Sequence, residues 1–597
     1  MDESPDVLAR WEDEAERLTW ETPWEKVHVP ETAWGRWFPG ASLNVATNCL
    51  VRHLRQRRNQ VALHWEGEPG DRRTMTYGEL HAEVTEFARA LRDLGVGMGD
   101  RVALYMGLLP ETVVAMLACA RIGAIHSVLA AALPADALAD RLADLRPRLL
   151  VTQDGAWRHG TVLPLKARAD EALAAVASVE QTVAVRRTGI DVAWYQGDRW
   201  YHDLTAPSGR SGEVEDPVSV PADHPLLVAY IANRRGKPTG IVHGCGRHLT
   251  YSATVHQYGL CASPDELLWC AVEIGWVAGQ SHGVYGPLAS GATTVLYEGM
   301  LDTPTHARAW EIIQRYGVST LVTTPSVVRR IRQWLDSPPE PEALATLRSI
   351  VTAGEPIEDE TREWLLSQVG GGRAAIVDAW GQTELGGIVT IPGAERLPDV
   401  GLDVVRDDGR PAPSGEPGEL VVKNPWPGMF IGIEGDEGEG AARYWERYGV
   451  YATGDSAKRH PDGSVAFLGR IDPVINVSGQ LVSLTEVREV LLEHPFVKDA
   501  EVAERPDPLS GQAVAACIVP ATDVSKSDLA QSLRMHVREI LGGLAQPRTL
   551  LFIEGFPPDL SPESRHRAVQ ALSALATAPT IQITEAELLA ASATRPE

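Results

Sequence analysis

Arg101-Val102-Ala103-Leu104-Tyr105-Met106 is a short apolar run behind a single charge, and its surroundings decide the fold class. Upstream, Thr76-Tyr77-Gly78-Glu79 has the form of a capping box, a Thr N-cap with Glu three residues on. Leu80, Val84, Phe87, Leu91 and Leu94 then fall on one helical face, and Gly95 ends the helix. Downstream come a helix around Glu111 to Arg121, a strand near Ala124 to Val128, a helix from Asp136 to Leu145 stopped before Pro147, and a strand from Leu149 to Thr152. The alternation resumes at Ala292 to Tyr297, Thr320 to Thr324 and Ala374 to Asp378. Strands alternating with helices predict an α/β fold, a largely parallel sheet with helices on both faces. Ligands of such sheets sit at the carboxyl ends of the strands.

The 597 residues exceed what one core accommodates, so two or more domains are expected. After Asp403, Gly- and Pro-rich turns separate short strands such as Gly418 to Lys423, and a further α+β unit begins near Arg470. It carries a helix from Thr485 to His494, strands near Ala500 to Ala503 and Ala513 to Val519, and a helix from Ser527 to Leu541. The division expected is 1–470, a large α/β domain with a β-rich subdomain, and 471–597, a small α+β domain. The Trp-rich first sixty residues read as an extended segment, with order beginning at Thr76, and the Ala- and Thr-rich tail after Ala571 reads as frayed.

The formal net charge of −25 argues against a nucleic-acid partner and against an anionic membrane. The N-terminus is acidic rather than signal-like, and the most apolar segment, Thr112 to Ala120, is too short to span a bilayer. Six cysteines with no C-x-x-C pair read as buried thiols of a cytoplasmic protein.

Tyr230-Ile231-Ala232-Asn233-Arg234-Arg235-Gly236-Lys237-Pro238-Thr239-Gly240 follows the apolar run Pro225 to Val228. It is basic and glycine-punctuated, as loops that cradle phosphate with backbone N–H groups are. It is nonetheless short of glycine where such a loop turns tightest.

Several separated stretches carry a resemblance. They are Leu43-Asn44-Val45-Ala46-Thr47-Asn48-Cys49-Leu50 with Trp65-Glu66-Gly67, Ala118 to Val128, Val284-Tyr285-Gly286-Pro287-Leu288 through Val295, Asp378-Ala379-Trp380-Gly381-Gln382-Thr383-Glu384, and Tyr451-Ala452-Thr453-Gly454-Asp455. Together, from about Trp34 to Arg567, the chain resembles the AMP-forming acetyl-CoA synthetases of the adenylate-forming acyl-CoA ligase family. The resemblance implies a large N-terminal and a small mobile C-terminal domain hinged at Asp472. It also implies a reaction in which a carboxylate attacks ATP to give an acyl-adenylate, from which CoA displaces AMP.

By the same resemblance Asp455 holds the ribose hydroxyls, Arg470 contacts the nucleotide, Gly354-Glu355-Pro356 forms the adenine-facing turn and Glu384 is linked to Mg²⁺. Arg158 and Arg538 match CoA-phosphate arginines, while Ser478 and Gly479 match the pantetheine tunnel; another CoA arginine of the family is Thr161 here.

Other positions depart from the family. Its loop Y-T-S-G-S-T-G-K-P-K-G has lost its hydroxyls and inner glycine, leaving Arg234, Arg235, Gly236 and Lys237 to attract anions. The C-terminal motif P-K-T-R-S-G-K aligns with Pro557 to Glu563, so Glu563 stands where the catalytic lysine would be and a favourable charge becomes an unfavourable one. Leu481 replaces a phosphate-contacting arginine and Ala379 a threonine. In the acyl pocket, with Val277 and Trp380, the family's second tryptophan is Gly381, its threonine Ala278 and its valine Ala353, which opens space for an acyl group larger than acetate.

Three readings stay open. One is a divergent ligase still using ATP, Mg²⁺ and CoA. Another is a protein acting on an acyl-CoA or acyl-adenylate made elsewhere, with adenylation impaired or lost, as an acyl or CoA transferase. The last is a non-catalytic binder, partner to a second, intact ligase.

Overall fold

The structure is a computed structural model of the chain. It describes all residues except 1–4, 207–214, 233–237, 262, 264, 336–338, 437–438, 472, 479, 522–524, 559 and 593–597. The capping box forms: Thr76 Oγ1 accepts the Glu79 N–H at 3.2 Å, and the Glu79 carboxylate accepts the Thr76 N–H at 2.8 Å. A cap of this kind contributes about 1 kcal/mol. Behind it the helix Tyr77–Asp93 buries Leu80, Val84, Phe87 and Leu91, the predicted face.

The chain divides into two compact units. The first comprises Met1–Ala131, Arg141–Tyr230 and Gly240–Leu468; the second comprises Ala132–Asp140, Ile231–Thr239 and Gly469–Glu597.

The first unit contains the predicted parallel sheets. An eight-stranded sheet runs in the order Asp198–Trp200, Gln181–Val185, Leu149–Gln153, Arg101–Met106, Ile125–Ala130, Pro225–Ile231, Thr239–Gly244, Gly432–Ile433. Its pairings from Asp198–Trp200 to Pro225–Ile231 are parallel. Arg101–Met106 is buried from Val102 onward, which is why the run shows no polar alternation. A seven-stranded sheet runs Ala375–Asp378, Ser349–Thr352, Thr320–Thr323, Leu268–Cys270, Thr294–Glu298, Val61–Gly67, Arg72–Thr76, antiparallel only at the last pair. The segment after Asp403 forms a four-stranded sheet, Leu402–Val405, Pro417–Val422, Tyr451–Arg459, Val465–Arg470.

In the second unit, Gly511–Pro520 is the central strand of a six-stranded sheet. Its side chains alternate between two cores. Val514, Ala516 and Ile518 pack with Val487, Leu491, Leu529 and Leu533 of the helices Leu484–Glu493 and Lys526–Leu541. Cys517 and Val519 pack with Val569 and Leu588 of Pro562–Ala574 and Glu585–Ser592.

Two expectations are corrected. The N-terminal segment is not merely extended: Pro5–Ala15 is a helix whose Val7, Trp11 and Ala15, four apart, are buried. Trp11 packs edge-on against Trp426 at 5.0 Å. Order also precedes Thr76, in the hairpin of Val61–Gly67 and Arg72–Thr76. The tail is not frayed after Ala571, since Thr580–Gln582 adds a parallel strand beside Thr549–Phe552 and Leu588 is fully buried. All six cysteines are buried and free. Among the described residues no helix is long and apolar enough to cross a membrane.

Candidate functional site

Thr453-Gly454-Asp455 lies within the strand Tyr451–Arg459 where its pairing to Pro417–Val422 shifts register, with Gly454 at φ +72°. Thr453 Oγ1 donates to Leu420 O at 2.8 Å and accepts the Asp455 N–H at 3.0 Å, which fixes the aspartate backbone. Trp380 and Gln382 stand on the same face of the strand Trp380–Gln382, because side chains alternate along a strand. Both reach Asp455: Trp380 Nε1–H and Gln382 Nε2–H donate to Oδ2, each at 2.9 Å. Phe467 stacks on Trp380 at 5.5 Å and 11°.

The network continues to Glu384. Tyr451 OH donates to Gln382 Oε1 at 3.0 Å, Tyr444 stacks on Tyr451 at 5.4 Å, and Tyr444 OH donates to Glu384 Oε1 at 3.0 Å. Burial, and then the Glu384 charge, push the Tyr444 phenol far above its ordinary value, so it stays a donor. Gln382 and Tyr451 lie inside the motifs that carry the resemblance, but nothing in their local pattern marks them as members of this network. Tyr444, on the helix Glu439–Glu446, had no local signal.

The residues expected at the adenine turn and the acyl pocket gather after adjacent parallel strands. Ser349–Thr352 leads into Ala353 and Gly354, and Ala375–Asp378 leads into Ala379, whose N–H donates to Thr352 O at 2.8 Å. Gly354 takes φ +93°, and a Cβ there would stand 4.0 Å from the Trp276 ring. Trp276 is the N-cap of the short helix Val277–Gln280, so Val277 and Ala278 follow directly behind the Gly354 turn. Glu355 faces the protein: Oε1 accepts the Ser326 N–H and Oε2 an Arg329 N–H, both at 2.8 Å. Pro356 follows directly, outside any helix or strand.

Gly381 is held by backbone. A Cβ built on it would meet Gly387 O at 1.9 Å and Ile388 Cα at 2.6 Å, because the antiparallel strand Gly387–Thr390 lies directly on it. Part of the volume that a larger side chain would occupy is therefore taken by main chain.

Of the residues expected to meet CoA, Arg158 ends the strand Ala156–Arg158 and pairs with Glu273 at 3.7 Å. The turn that follows has His159 at φ +53° and Gly160 at φ +70°. Glu68 holds it, accepting the N–H groups of Gly160 at 2.6 Å, His159 at 3.2 Å and Met300 at 2.6 Å. In the second unit, Ser478 takes φ +55° in the turn after Val474–Val477, and its N–H donates to Ser510 O at 2.9 Å. Arg538 is exposed on Lys526–Leu541, and Arg470 is the half-buried last residue of Val465–Arg470.

Glu563 lies in the first turn of Pro562–Ala574, exposed, behind the N-cap Ser561, which accepts the Ser564 N–H at 3.2 Å. Its own backbone N–H and the Ser561 hydroxyl hold its carboxyl below the ordinary value. A carboxylate suits this helix N-terminus. Arg234, Arg235, Gly236, Lys237, Gly479 and the hinge candidate Asp472 lie outside the described residues.

Among the described residues no cluster of three or more His, Cys, Asp or Glu could hold a metal ion. The buried carboxylate of Glu384 still fits Mg²⁺, which takes one or two carboxylates together with water and phosphate oxygens.

The family model described as "AMP-binding enzyme" matches residues 50–433, "AMP-binding enzyme C-terminal domain" matches 486–559, and "Acetyl-coenzyme A synthetase N-terminus" matches 6–49. The chain is 41% identical to the acetyl-coenzyme A synthetase of Streptomyces avermitilis over 583 residues, 95% of this chain and 89% of the relative. It is 41% identical to that of Mycobacterium tuberculosis over 597 residues, with 95% and 91% covered, and 40% identical to that of Rubrobacter xylanophilus over 580 residues, with 94% and 89% covered. With matches of this length at both ends and through the middle, the chain belongs to the AMP-binding enzyme family, among the AMP-forming acetyl-coenzyme A synthetases.

Proposed function

We propose that this chain binds an acyl-adenylate or acyl-CoA whose acyl group is larger than acetate, and that its ATP-dependent adenylation is weakened or lost. The observation that carries the reading is Glu563, a carboxylate at the position aligned with the family's catalytic lysine, seated as an ordinary first-turn acid. A negative charge there opposes the attack of one anion on another. The nucleotide side supports binding, since Trp380, Gln382 and Asp455 form a completed hydrogen-bonded group. Glu384 would hold Mg²⁺, which supplies charge to screen phosphate oxygens. Ala278 and Ala353 favour a bulkier acyl group than their larger counterparts would, while Gly387 limits how far it extends past Gly381. Without its own adenylation the protein would use an acyl group activated elsewhere, as an acyl or CoA transferase does.

Two measurements test this. ATP–pyrophosphate exchange over a panel of carboxylic acids is expected to be absent or very slow; robust exchange with any acid would establish a working ligase instead. Calorimetry is expected to show CoA-thioester binding that Arg538→Ala weakens, and no binding of any CoA species would overturn the acyl-CoA reading. A working but divergent ligase is the second reading, favoured by the intact connection between Glu384 and Asp455.

A further inference from the structure

The strand Gly387–Thr390 forms the wall beside Gly381, and a buried polar clamp sets its position. Tyr251 OH donates to Ile388 O at 2.6 Å. Ile388 N–H donates to His282 Nε2 at 3.0 Å, which requires that nitrogen to be unprotonated. Ser281 Oγ donates to Gly386 O at 2.7 Å and lies 3.1 Å from His248 Nε2. With the serine proton committed to Gly386, His248 is the donor in that contact. The preceding residues are held as well: Trp426 Nε1–H donates to Leu385 O at 3.1 Å, and the Phe430 N–H to Glu384 O at 2.8 Å.

Tyr251, Ser281, His282 and His248 have no solvent exposure, so these bonds face no competition from water. Burial lowers the His282 imidazole to about 3, which keeps it the neutral acceptor that Ile388 needs.

The packing leaves no slack. Gly387 takes φ +129°, and a Cβ on it would meet His282 Nε2 at 2.7 Å and Tyr251 OH at 3.1 Å. On its other side its carbonyl oxygen stands 1.9 Å from where a Gly381 Cβ would be. One thickness of main chain thus separates the clamp from Gly381, and glycine is required at both positions. Moving the clamp moves the wall.

We propose that Tyr251, Ser281 and His282 are positioning residues that set acyl-chain selectivity by holding the Gly387–Thr390 strand against Gly381. The inference rests on the reading of this region as an acyl site. It adds that chain length is decided behind the pocket and not by the residue at 381 alone. Tyr251→Phe removes one hydrogen bond at constant shape. His282→Ala leaves the Ile388 N–H without its acceptor and opens room behind Gly387, so the strand can retreat from Gly381.

The test is calorimetry with acyl-sulfamoyl-adenosines, mimics of an acyl-adenylate, carrying two, four or six acyl carbons, with AMP as control. For His282→Ala the affinity for the six-carbon analogue relative to the two-carbon one is expected to rise by about tenfold, the scale on which a pocket discriminates a methylene. Tyr251→Phe is expected to shift the ratio in the same direction by less, with AMP affinity changed by less than about twofold. His282→Gln, which restores an acceptor, is expected to return the ratio toward wild type. An unchanged ratio in variants that still bind AMP, or an equal loss for every analogue, would overturn the proposal. If His282→Ala fails to fold, Ser281→Ala, which loses the Gly386 contact, serves the same comparison. Wild-type protein that binds CoA thioesters but shows no change of ratio in the variants would fail this inference alone. Wild-type protein that binds neither thioesters nor analogues would fail the function reading, and the selectivity role with it.

Discussion

Trp380 donates its indole N–H to Asp455 Oδ2 at 2.9 Å across 75 positions of sequence. The same oxygen accepts from Gln382 at 2.9 Å, so two donors from one strand face orient one carboxylate. The Asp455 backbone is fixed separately, by its N–H donating to Thr453 Oγ1 at 3.0 Å.

Trp380→Phe keeps the stack on Phe467 but removes one of these donors. A hydrogen bond to a charged group contributes about 1.5–3 kcal/mol, so AMP affinity is expected to fall by about tenfold or more. Asp455→Asn is expected to lower it further, and calorimetric titration with AMP compares the two. Unchanged affinity in both would remove Asp455 from the nucleotide site.

Glu563→Lys, combined with the family's hydroxyl- and glycine-rich sequence at 231–235, places a positive charge where the reading needs one. ATP–pyrophosphate exchange is expected to rise by about two orders of magnitude, the scale of one preorganised electrostatic contact. A small fall in melting temperature should accompany Glu563→Lys alone, because a base replaces an acid in the first turn of Pro562–Ala574. Exchange that stays absent would show that more than phosphate chemistry has been lost.

Gly381→Ala forces a methyl group onto the Gly387 carbonyl. Overpacking of this kind costs about 1–3 kcal/mol, read as a lower urea midpoint at unchanged slope. Restoring tryptophan at 381 is expected to destabilise further and not to produce an acetate-selective pocket. A neutral Gly381→Ala would mean that the strand yields easily.

His566 Nε2 lies 3.1 Å from Glu504 Oε2, and Nδ1 lies 3.9 Å from Glu501. The neighbouring carboxylates Glu501 and Glu504, of which Glu504 accepts a hydrogen bond from Nε2, raise its imidazolium from the ordinary 6.5 to about 10 despite partial burial, while Nδ1 bonds the Val502 carbonyl at 3.1 Å. Its stabilisation is therefore fully present below pH 6.5 and is lost as pH rises toward about 10. Discounted for solvent screening, the loss is about 1–2 kcal/mol. Burial is the largest single influence on Glu504 and pushes it up, but the His566 hydrogen bond, a backbone hydrogen bond and the His566 charge together outweigh it and the carboxyl ends below its ordinary value, so its share is lost at the acid end. Thermal unfolding across this range is expected to show a falling midpoint in wild type, and His566→Gln should flatten the alkaline limb. Identical profiles would dismiss the pair as a stability term.

Local chemistry made much of the fold legible. The capping box at Thr76, the apolar run Arg101–Met106 and the alternation in Gly511–Pro520 announce themselves within a few residues, because each buries a face defined by its own period. The helix Pro5–Ala15 was hidden, since an apolar stripe of three residues is too short to stand out and its stability comes from Trp11 meeting Trp426. The strand Thr580–Gln582 was hidden for the same reason: its order derives from its partner Thr549–Phe552.

For the site, the sequence by itself determined the family, the presence of Asp455, Trp380 and Glu384, and the charge at 563, because these are identities of residues in recognisable order. Only the tertiary structure decided that Trp380 and Gln382 share one oxygen of Asp455, that Tyr444 reaches Glu384, and that Gly381 lies beneath the backbone of Gly387. Each is a close approach between segments distant along the chain. No local periodicity encodes such an approach; the packing of whole elements sets it.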